Sequence, residues 1–122
     1  MAAAEKGNIM TVQDFIKYYN VGHGRAAYAL QSITDKEPYR KAFFECVKNE
    51  NGGYRGSSYI LNIAKRLVTK EHEQEFVDIL FAKCNNGSSF PTDIILVLVE
   101  YVPWNHLVAY VETEYKKAFD NY

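Results

Sequence analysis

The sequence is poor in the residues that mark several common protein classes. Its 122 residues include two cysteines and three prolines, too few cysteines for a secreted scaffold held by disulfide bonds. The net charge is −1, so the chain lacks the strongly basic character usual in nucleic-acid-binding domains. Its longest apolar run, Ile94–Val99, is far shorter than the roughly 20 residues that span a bilayer. We therefore expect a cytoplasmic protein that binds neither nucleic acid nor membrane.

Neither the cysteines nor the histidines are spaced for a metal site. Cys46 and Cys84 fall within apolar helical patterns, so we expect two buried, reduced thiols. His23, His72 and His106 share no metal-ligand spacing with each other or with the cysteines. No serine stands in the glycine frame of a nucleophile elbow. The sequence therefore predicts no metal, no cofactor and no enzyme activity.

Apolar and aromatic residues, by contrast, are abundant. Hydrophobic residues make up 48% of the chain and aromatic residues 15%, with ten tyrosines and seven phenylalanines. That content and length predict one folded domain, residues 1–122, with a core of its own. Residues 1–10 are expected to be flexible or artificially appended, with Met10 as a candidate natural start.

The apolar residues recur at helical spacing, and no segment alternates with a period of two. Thr11 and Asp14 have the spacing of a capping box, and Pro38 suits the first turn of a helix that Asp35 caps. We expect an all-α protein of six or seven helices, with helices over residues 11–20, 25–33, 35–51, 55–68, 69–84, 91–102 and from 105 onward. The helix over 91–102 is apolar nearly all round, which predicts that it is the central buried helix.

Parts of this helical pattern repeat along the chain. A shift of 31 positions places Gly22 on Gly53 and Tyr28 on Tyr59, and a shift of 35 relates residues 52–84 to the end of the chain. We interpret the glycines as freeing each turn from a Cβ clash, and the tyrosines as equivalent packing sites. A helical hairpin cannot bury its apolar face alone, so repeated hairpins are expected to stack and share one core.

The repeat, over residues 22–119, resembles HEAT-like repeats. That resemblance implies a short right-handed α-solenoid of about three helical hairpins, with the helix over residues 11–20 as an N-terminal cap.

Two short motifs offer catalytic or anion-binding alternatives. Arg66 and His72 resemble the Arg-x(4–6)-His motif of the HEPN ribonucleases, which implies that arginine and histidine from two subunits meet at an RNA phosphate. The chain departs from that family at Leu67, where a polar residue is usual, and a helix break is predicted near Thr69. The turn Gly22–Arg25 could present backbone N–H groups to an anion, or it is simply a flexible turn.

Acidic and aromatic residues concentrate in the C-terminal half. Residues 62–122 carry six basic and nine acidic side chains, against eight and six in residues 1–61. Glu71, Glu73, Glu75 and Asp78 cluster on one predicted helix, either to complement its dipole or to bind a basic protein. Tyr101, Trp104 and Tyr110 are aromatic anchors of the type enriched at binding hot spots, or packing residues.

As a small, near-neutral helical array, the chain is similar to bacterial immunity proteins of contact-dependent growth inhibition and related polymorphic toxin systems. That resemblance implies stoichiometric binding to a cognate toxin, expected to be a basic nuclease domain, with blockade of its active site or substrate path. The alternatives are another adaptor or regulatory binding protein, or the Arg66/His72 ribonuclease. The residues predicted to contact the partner are Glu71, Glu75, Asp78, Trp104, Tyr110 and Glu114.

Overall fold

The computed structural model describes residues 10–49, 56–86 and 92–120, apart from the side chains at 85, 86, 92, 111, 114, 115 and 117–120. Across these ranges the chain forms helices and no strand, which confirms the all-α prediction. The seven α-helices and two 3₁₀ segments of these ranges are α1 (Val12–Asn20), α2 (Arg25–Tyr28), a 3₁₀ segment (Ala29–Ser32), α3 (Glu37–Asn49), α4 (Ser57–Leu67), a second 3₁₀ segment (Lys70–His72), α5 (Glu73–Asn86), α6 (Thr92–Leu98) and α7 (Trp104–Asp120).

Local side-chain caps start two of these helices where the sequence predicts them. The Asp14 N–H donates to the Thr11 hydroxyl at 3.0 Å, and the Thr11 N–H donates to the Asp14 carboxylate at 3.2 Å, which confirms the capping box of α1. Ahead of α3, the Glu37 N–H donates to the Asp35 carboxylate at 3.2 Å. Both contacts satisfy N–H groups that a helix start leaves without a partner.

Gly22 ends α1 in a Schellman motif. Its φ of 67° lies in the left-handed region, its N–H donates to the Tyr19 carbonyl at 3.0 Å, and the next N–H, of His23, donates to the Tyr18 carbonyl at 2.9 Å. This geometry satisfies the last carbonyls of the helix, and glycine adopts it at the least steric cost.

Gly22→Ala should lower the free energy of unfolding by about 1–2 kcal/mol, because an L-residue is strained in the left-handed region. Gly24→Ala is the matched control, since Gly24 has a φ of −61° and an added Cβ there meets nothing within 4 Å. That control should raise stability by a few tenths of a kcal/mol. Urea denaturation of both variants checks the pair, and equal effects would contradict the role of the backbone conformation.

The interpretation of relief from a Cβ clash concerns the glycines of the repeat, Gly22, Gly52, Gly53 and Gly87. At Gly22 the positive φ of 67° is what favours glycine. Gly52, Gly53 and Gly87 lie outside the described residues.

Helices α1, α3, α5 and α7 pack as successive neighbours, which we call the first row. The ring centroids of Phe15 and Tyr39 lie 6.1 Å apart, and those of Tyr19 and Phe43 lie 6.0 Å apart. Because both partners advance by four residues between these contacts, α1 and α3 run in the same direction.

The same parallel direction continues through α5 and α7. Phe44 stacks on Phe76 at 5.7 Å, and further along both helices the Lys83 ammonium donates to the Lys48 carbonyl at 3.0 Å. The Phe76 ring contacts that of Tyr101 just before α7, and Phe81 contacts Tyr110 within α7. The first row is therefore a series of parallel helices.

Helices α2, α4 and α6 form a second row, in which α2 contacts α4 and α4 contacts α6. Both rows contribute fully buried side chains, such as Phe15, Phe43 and Phe76 from the first row and Ile60 and Ile94 from the second. The hydrophobic core therefore lies between the two rows.

The prediction that the helix over 91–102 is the central buried helix is wrong. The helix α6 ends at Leu98, and turns follow as far as residue 102. Ile94 and Val97 are fully buried, but Leu96 is 47% exposed. Among the described helices, α4 and α5 are its main neighbours, so one side of this apolar helix has no cover from the described part of the chain.

The predicted equivalence of Tyr28 and Tyr59 is also wrong. Tyr28 is 70% exposed, whereas Tyr59 is half-buried and donates its hydroxyl to the His23 carbonyl at 2.8 Å. The predicted helix 25–33 is divided at Tyr28, where α2 gives way to the 3₁₀ segment.

The two thiols are less buried than the sequence predicts. Cys46 on α3 and Cys84 on α5 are half-buried. Each cysteine lies at the edge of the apolar side of its helix. The fully buried positions nearby are Val47 in α3 and Leu80 in α5.

Candidate functional site

Three of the predicted contact residues are exposed acidic side chains in α5 or just before it. Glu71, Glu75 and Asp78 follow one another at spacings of four and three residues, and all three are exposed. Glu71 lies in the second 3₁₀ segment, which leads directly into α5, and Glu75 and Asp78 lie three residues apart on one side of α5. We call these three residues the acidic face. The neighbouring Glu73 is half-buried and does not belong to it.

The acidic face has no cationic partner within residues 10–49, 56–86 and 92–120. The ion pairs found there join Arg40 to Glu37 and Lys48 to Glu45. Asp78 accepts one hydrogen bond, from the Gln74 amide at 2.8 Å. Like charges at this spacing repel each other by a few tenths of a kcal/mol per pair, while Glu75, in the first turn of α5, is also stabilised by the helix dipole.

The aromatic residues near α7 divide into one exposed ring and two packing rings. Trp104, the first residue of α7, is 67% exposed. The half-buried Tyr110 ring meets Phe81 at 4.6 Å in an edge-to-face contact and so helps to hold α7 against α5. Tyr101 meets Phe76 edge-on at 5.4 Å. Glu114 belongs to α7, and its side chain lies outside the described residues.

Tyr101 is a packing residue with a perturbed hydroxyl. Its partial burial raises the pKa of the hydroxyl, and the negative charges of Glu73 and Glu100 raise that pKa further. The hydroxyl therefore stays protonated near neutral pH and is unsuited to act as a base.

A groove open to solvent runs between the parallel helices α3 and α5. It consists of two adjoining cavities, of about 330 and 560 Å³, which share Lys48 and Glu75 in their walls. The smaller cavity is lined by Glu37, Arg40, Lys41, Phe44, Glu45, Lys48, His72 and Glu75. The larger is lined by Lys48, Glu75, Asp78, Ile79, Ala82 and Lys83. Two members of the acidic face, Glu75 and Asp78, thus stand on the groove.

Two buried cations that line this groove bond to the C-terminal ends of neighbouring helices. Arg40 is 8% exposed and donates its Nε–H to the carbonyl of Leu67, the last residue of α4, at 2.6 Å. Lys83 is also 8% exposed and donates to the Lys48 carbonyl in the last turn of α3. Each cation lies at a helix C-terminus, where the helix dipole favours positive charge.

Arg40 and Lys83 are not among the residues that the sequence predicts to be functional. The available signal was a basic residue within an apolar stripe: Arg40 lies three and four positions before Phe43 and Phe44, and Lys83 lies three positions after Leu80. Such a cation needs a buried acceptor, which here comes from a neighbouring helix.

The Arg66 and His72 side chains contact different partners. The Arg66 guanidinium donates to the Asn62 side-chain oxygen at 2.6 Å, and His72 Nδ1 lies 2.6 Å from the Thr69 hydroxyl. The predicted break near Thr69 is confirmed, because α4 ends at Leu67 and the next helical segment starts at Lys70. Among the described residues no contact joins the two side chains of the HEPN-like motif.

The turn Gly22–Arg25 uses most of its backbone donors internally. The Arg25 N–H donates to His23 Nδ1 at 3.0 Å, and the Ala26 N–H donates to the His23 carbonyl at 3.2 Å. With the Gly22 and His23 N–H groups bonded to α1, the turn closes on itself instead of presenting a row of N–H groups to an anion.

The described part of the chain offers neither a metal site nor a membrane-spanning helix. No three His, Cys, Asp or Glu side chains within it converge to bind a metal ion. None of its helices combines the length and the apolar character needed to cross a bilayer.

No family model, no curated protein and no solved structure matches this chain. A functional interpretation therefore starts from the acidic face, the exposed Trp104 and the groove between α3 and α5.

Proposed function

We propose that this chain is an immunity protein, not an enzyme, that binds a basic toxin domain through the acidic face and Trp104. The observation that carries the proposal is the acidic face itself. Its three carboxylates are exposed, two of them share one side of α5, and none forms an ion pair with a cation among the described residues. A cationic surface that covers them relieves their mutual repulsion.

The packing order supports a short right-handed HEAT-like α-solenoid as the scaffold. Alternate helices contact each other in two rows, and the first row is parallel, as expected when successive hairpins stack in one direction. In such an array the exposed sides of the first row form a ridge. Glu75 and Asp78 are exposed on α5, and Trp104 begins α7, the next helix of that row.

The chemistry of this ridge favours a basic partner. Nuclease domains carry positive charge because they hold phosphates. An acidic ridge accelerates the encounter with such a domain and competes with its nucleic-acid substrate for the same cations. Trp104 supplies the large aromatic contact that commonly carries binding energy near the centre of an interface. A standard interface buries on the order of 1,600 Å² in total.

Glu75→Lys combined with Asp78→Lys should weaken binding of the cognate toxin domain at least tenfold, mainly through slower association. Asp78→Lys alone should already reach about tenfold, and the loss should shrink in high salt because salt screens exposed charges. Titration calorimetry and stopped-flow association, each at low and high salt, check this. The matched control is Glu112→Lys, an exposed carboxylate on α7 outside the acidic face. Unchanged binding for the double variant would remove the acidic face from the interface.

Co-expression tests the biological role. The C-terminal domain of the reading frame upstream should inhibit growth when expressed alone, and this protein should restore growth and co-purify with it. The double variant should fail to protect at matched expression levels. Co-purification without any growth inhibition by the partner would point to an adaptor instead.

A further inference from the structure

The first two helices of the second row, α2 and α4, carry positive charge and no negative charge. Residues 15–34 and 56–70, which include both helices, contain no aspartate and no glutamate. Arg25 on α2 and Lys65 on α4 are exposed, and the ion pairs found within the described residues include neither of them. The net charge of −1 is therefore an average over an uneven surface, on which the outward side of α2 and α4 is positive.

The exposed side chains of α4 form one stripe. Ser58, Asn62 and Lys65 follow one another at spacings of four and three residues and are all exposed, whereas Ile63 faces the core and is fully buried. The half-buried Arg66 lies beside this stripe, because its guanidinium donates to the Asn62 carbonyl at 2.8 Å and to the Asn62 side-chain oxygen at 2.6 Å. Both acceptors are uncharged, so the positive charge of the guanidinium is not neutralised by these contacts.

Helix α2 adds an exposed aromatic ring beside these cations. Arg25 and Tyr28 are both exposed, Tyr28 to 70%, while the two alanines between them are buried in the core. Helices α2 and α4 contact each other, and the Tyr59 hydroxyl of α4 donates to the His23 carbonyl, just before α2, at 2.8 Å. The outward sides of the two helices therefore form one surface. We call the following residues of this surface the basic side: Arg25, Tyr28, Asn62, Lys65 and Arg66.

We propose that the basic side binds single-stranded nucleic acid, with phosphates at its three cations and one base stacked on the Tyr28 ring. Proteins that bind single strands without sequence preference combine cations along the backbone path with aromatic rings on which bases stack. An acidic protein segment would pair with the cations alone, whereas a single strand also covers the exposed ring. The proposal goes beyond the proposed function and does not rest on it, because the acidic face lies on another row of helices.

The number of cations determines how binding depends on salt. Contacts to about three phosphates of a single strand give a slope of roughly −2 for log affinity against log salt, so a rise from about 50 to about 200 mM salt should weaken binding roughly 15–20-fold. Fluorescence anisotropy with a labelled oligouridylate of about 12 nucleotides, within the site sizes known for single-strand binders, measures this. An absence of binding, or binding that salt does not change, would overturn the proposal.

Arg25→Glu combined with Lys65→Glu should weaken binding of the oligouridylate at least about tenfold, and Tyr28→Ala alone should weaken it about fivefold or more. All three positions are exposed, so both variants are expected to fold. The matched control is Lys41→Glu combined with Lys116→Glu, which reverses two exposed cations of the first row. It changes the net charge equally and should weaken binding no more than about twofold, because salt screens distant charges. Equal losses in the two double variants, or no loss in Tyr28→Ala, would overturn the proposal.

Two competitors separate a single strand from other polyanions. An abasic strand of the same length keeps the phosphates but has no base for the Tyr28 ring, and poly-glutamate keeps only negative charge. Both should displace the labelled strand at least about fivefold less well than unlabelled oligouridylate does. Equal displacement by the abasic strand would show that no base stacks on Tyr28, and equal displacement by poly-glutamate would assign the basic side to an acidic protein. Either result would overturn the proposal.

Discussion

Phe76→Ala is expected to lower the free energy of unfolding by about 3–5 kcal/mol. Phe76 is fully buried, and its ring contacts three other rings: Phe43 at 5.6 Å, Phe44 at 5.7 Å and Tyr101 at 5.4 Å. The variant loses both the transferred apolar surface and the packing of its neighbours around a cavity. Since total stability is about 5–15 kcal/mol for a typical domain, this single change removes a large part of it.

Urea denaturation followed by circular dichroism measures this loss. Tyr28→Ala is the matched control, because it also removes an aromatic ring but from a side chain that is 70% exposed. The control should change stability by no more than about 0.5 kcal/mol. A loss below about 1 kcal/mol for Phe76→Ala would contradict a core that joins α3, α5 and the start of α7 through this ring.

Arg40→Met is expected to lower the free energy of unfolding by about 1.5–3 kcal/mol. The methionine keeps much of the apolar stem but removes the donor to the Leu67 carbonyl and the ion pair with Glu37. The Leu67 carbonyl then loses its partner inside the packed junction of α3 and α4. Arg40→Lys should recover only part of the loss, because a single ammonium cannot reproduce the planar fork of the guanidinium.

Lys41→Met is the control for Arg40, since it removes an exposed cation from the next position of the same helix. It should alter stability by no more than about 0.5 kcal/mol. The same denaturation measurement applies to all three variants. If Arg40→Met costs no more than Lys41→Met, the buried guanidinium does not stabilise the junction.

Local features of the fold were predictable because their causes are local. The Thr11–Asp14 capping box and the break near Thr69 depend on residues within one turn of each other, and both are confirmed. The exposure of the Leu96 and Tyr28 side chains could not be predicted from neighbouring residues in the sequence. Both depend on which helices of the assembled fold cover the side chain, as the few neighbours of α6 illustrate for Leu96.

The candidate site likewise combines one feature that the sequence predicts with one that depends on how the helices pack. The spacing of Glu71, Glu75 and Asp78 already indicates one helical side in the sequence. The groove beside them exists only because α3 and α5 pack in parallel at the register that brings Phe44 to Phe76. No pattern within either helix specifies that register. The groove beside Glu75 and Asp78 is therefore a property of the assembled fold.

The parallel first row also determines how the chain can find its native state. Contacts between neighbouring helices of that row join residues 24 to 35 positions apart, from Phe15–Tyr39 to Lys48–Lys83. Each contact therefore closes a short loop, whose entropic cost grows only slowly with length. The distant ends of the chain need not meet before any neighbouring pair becomes ordered, and topologies of this kind fold in microseconds to milliseconds. We therefore expect that ordering of one neighbouring pair, such as α3 and α5, lowers the entropic cost of adding the next helix on either side.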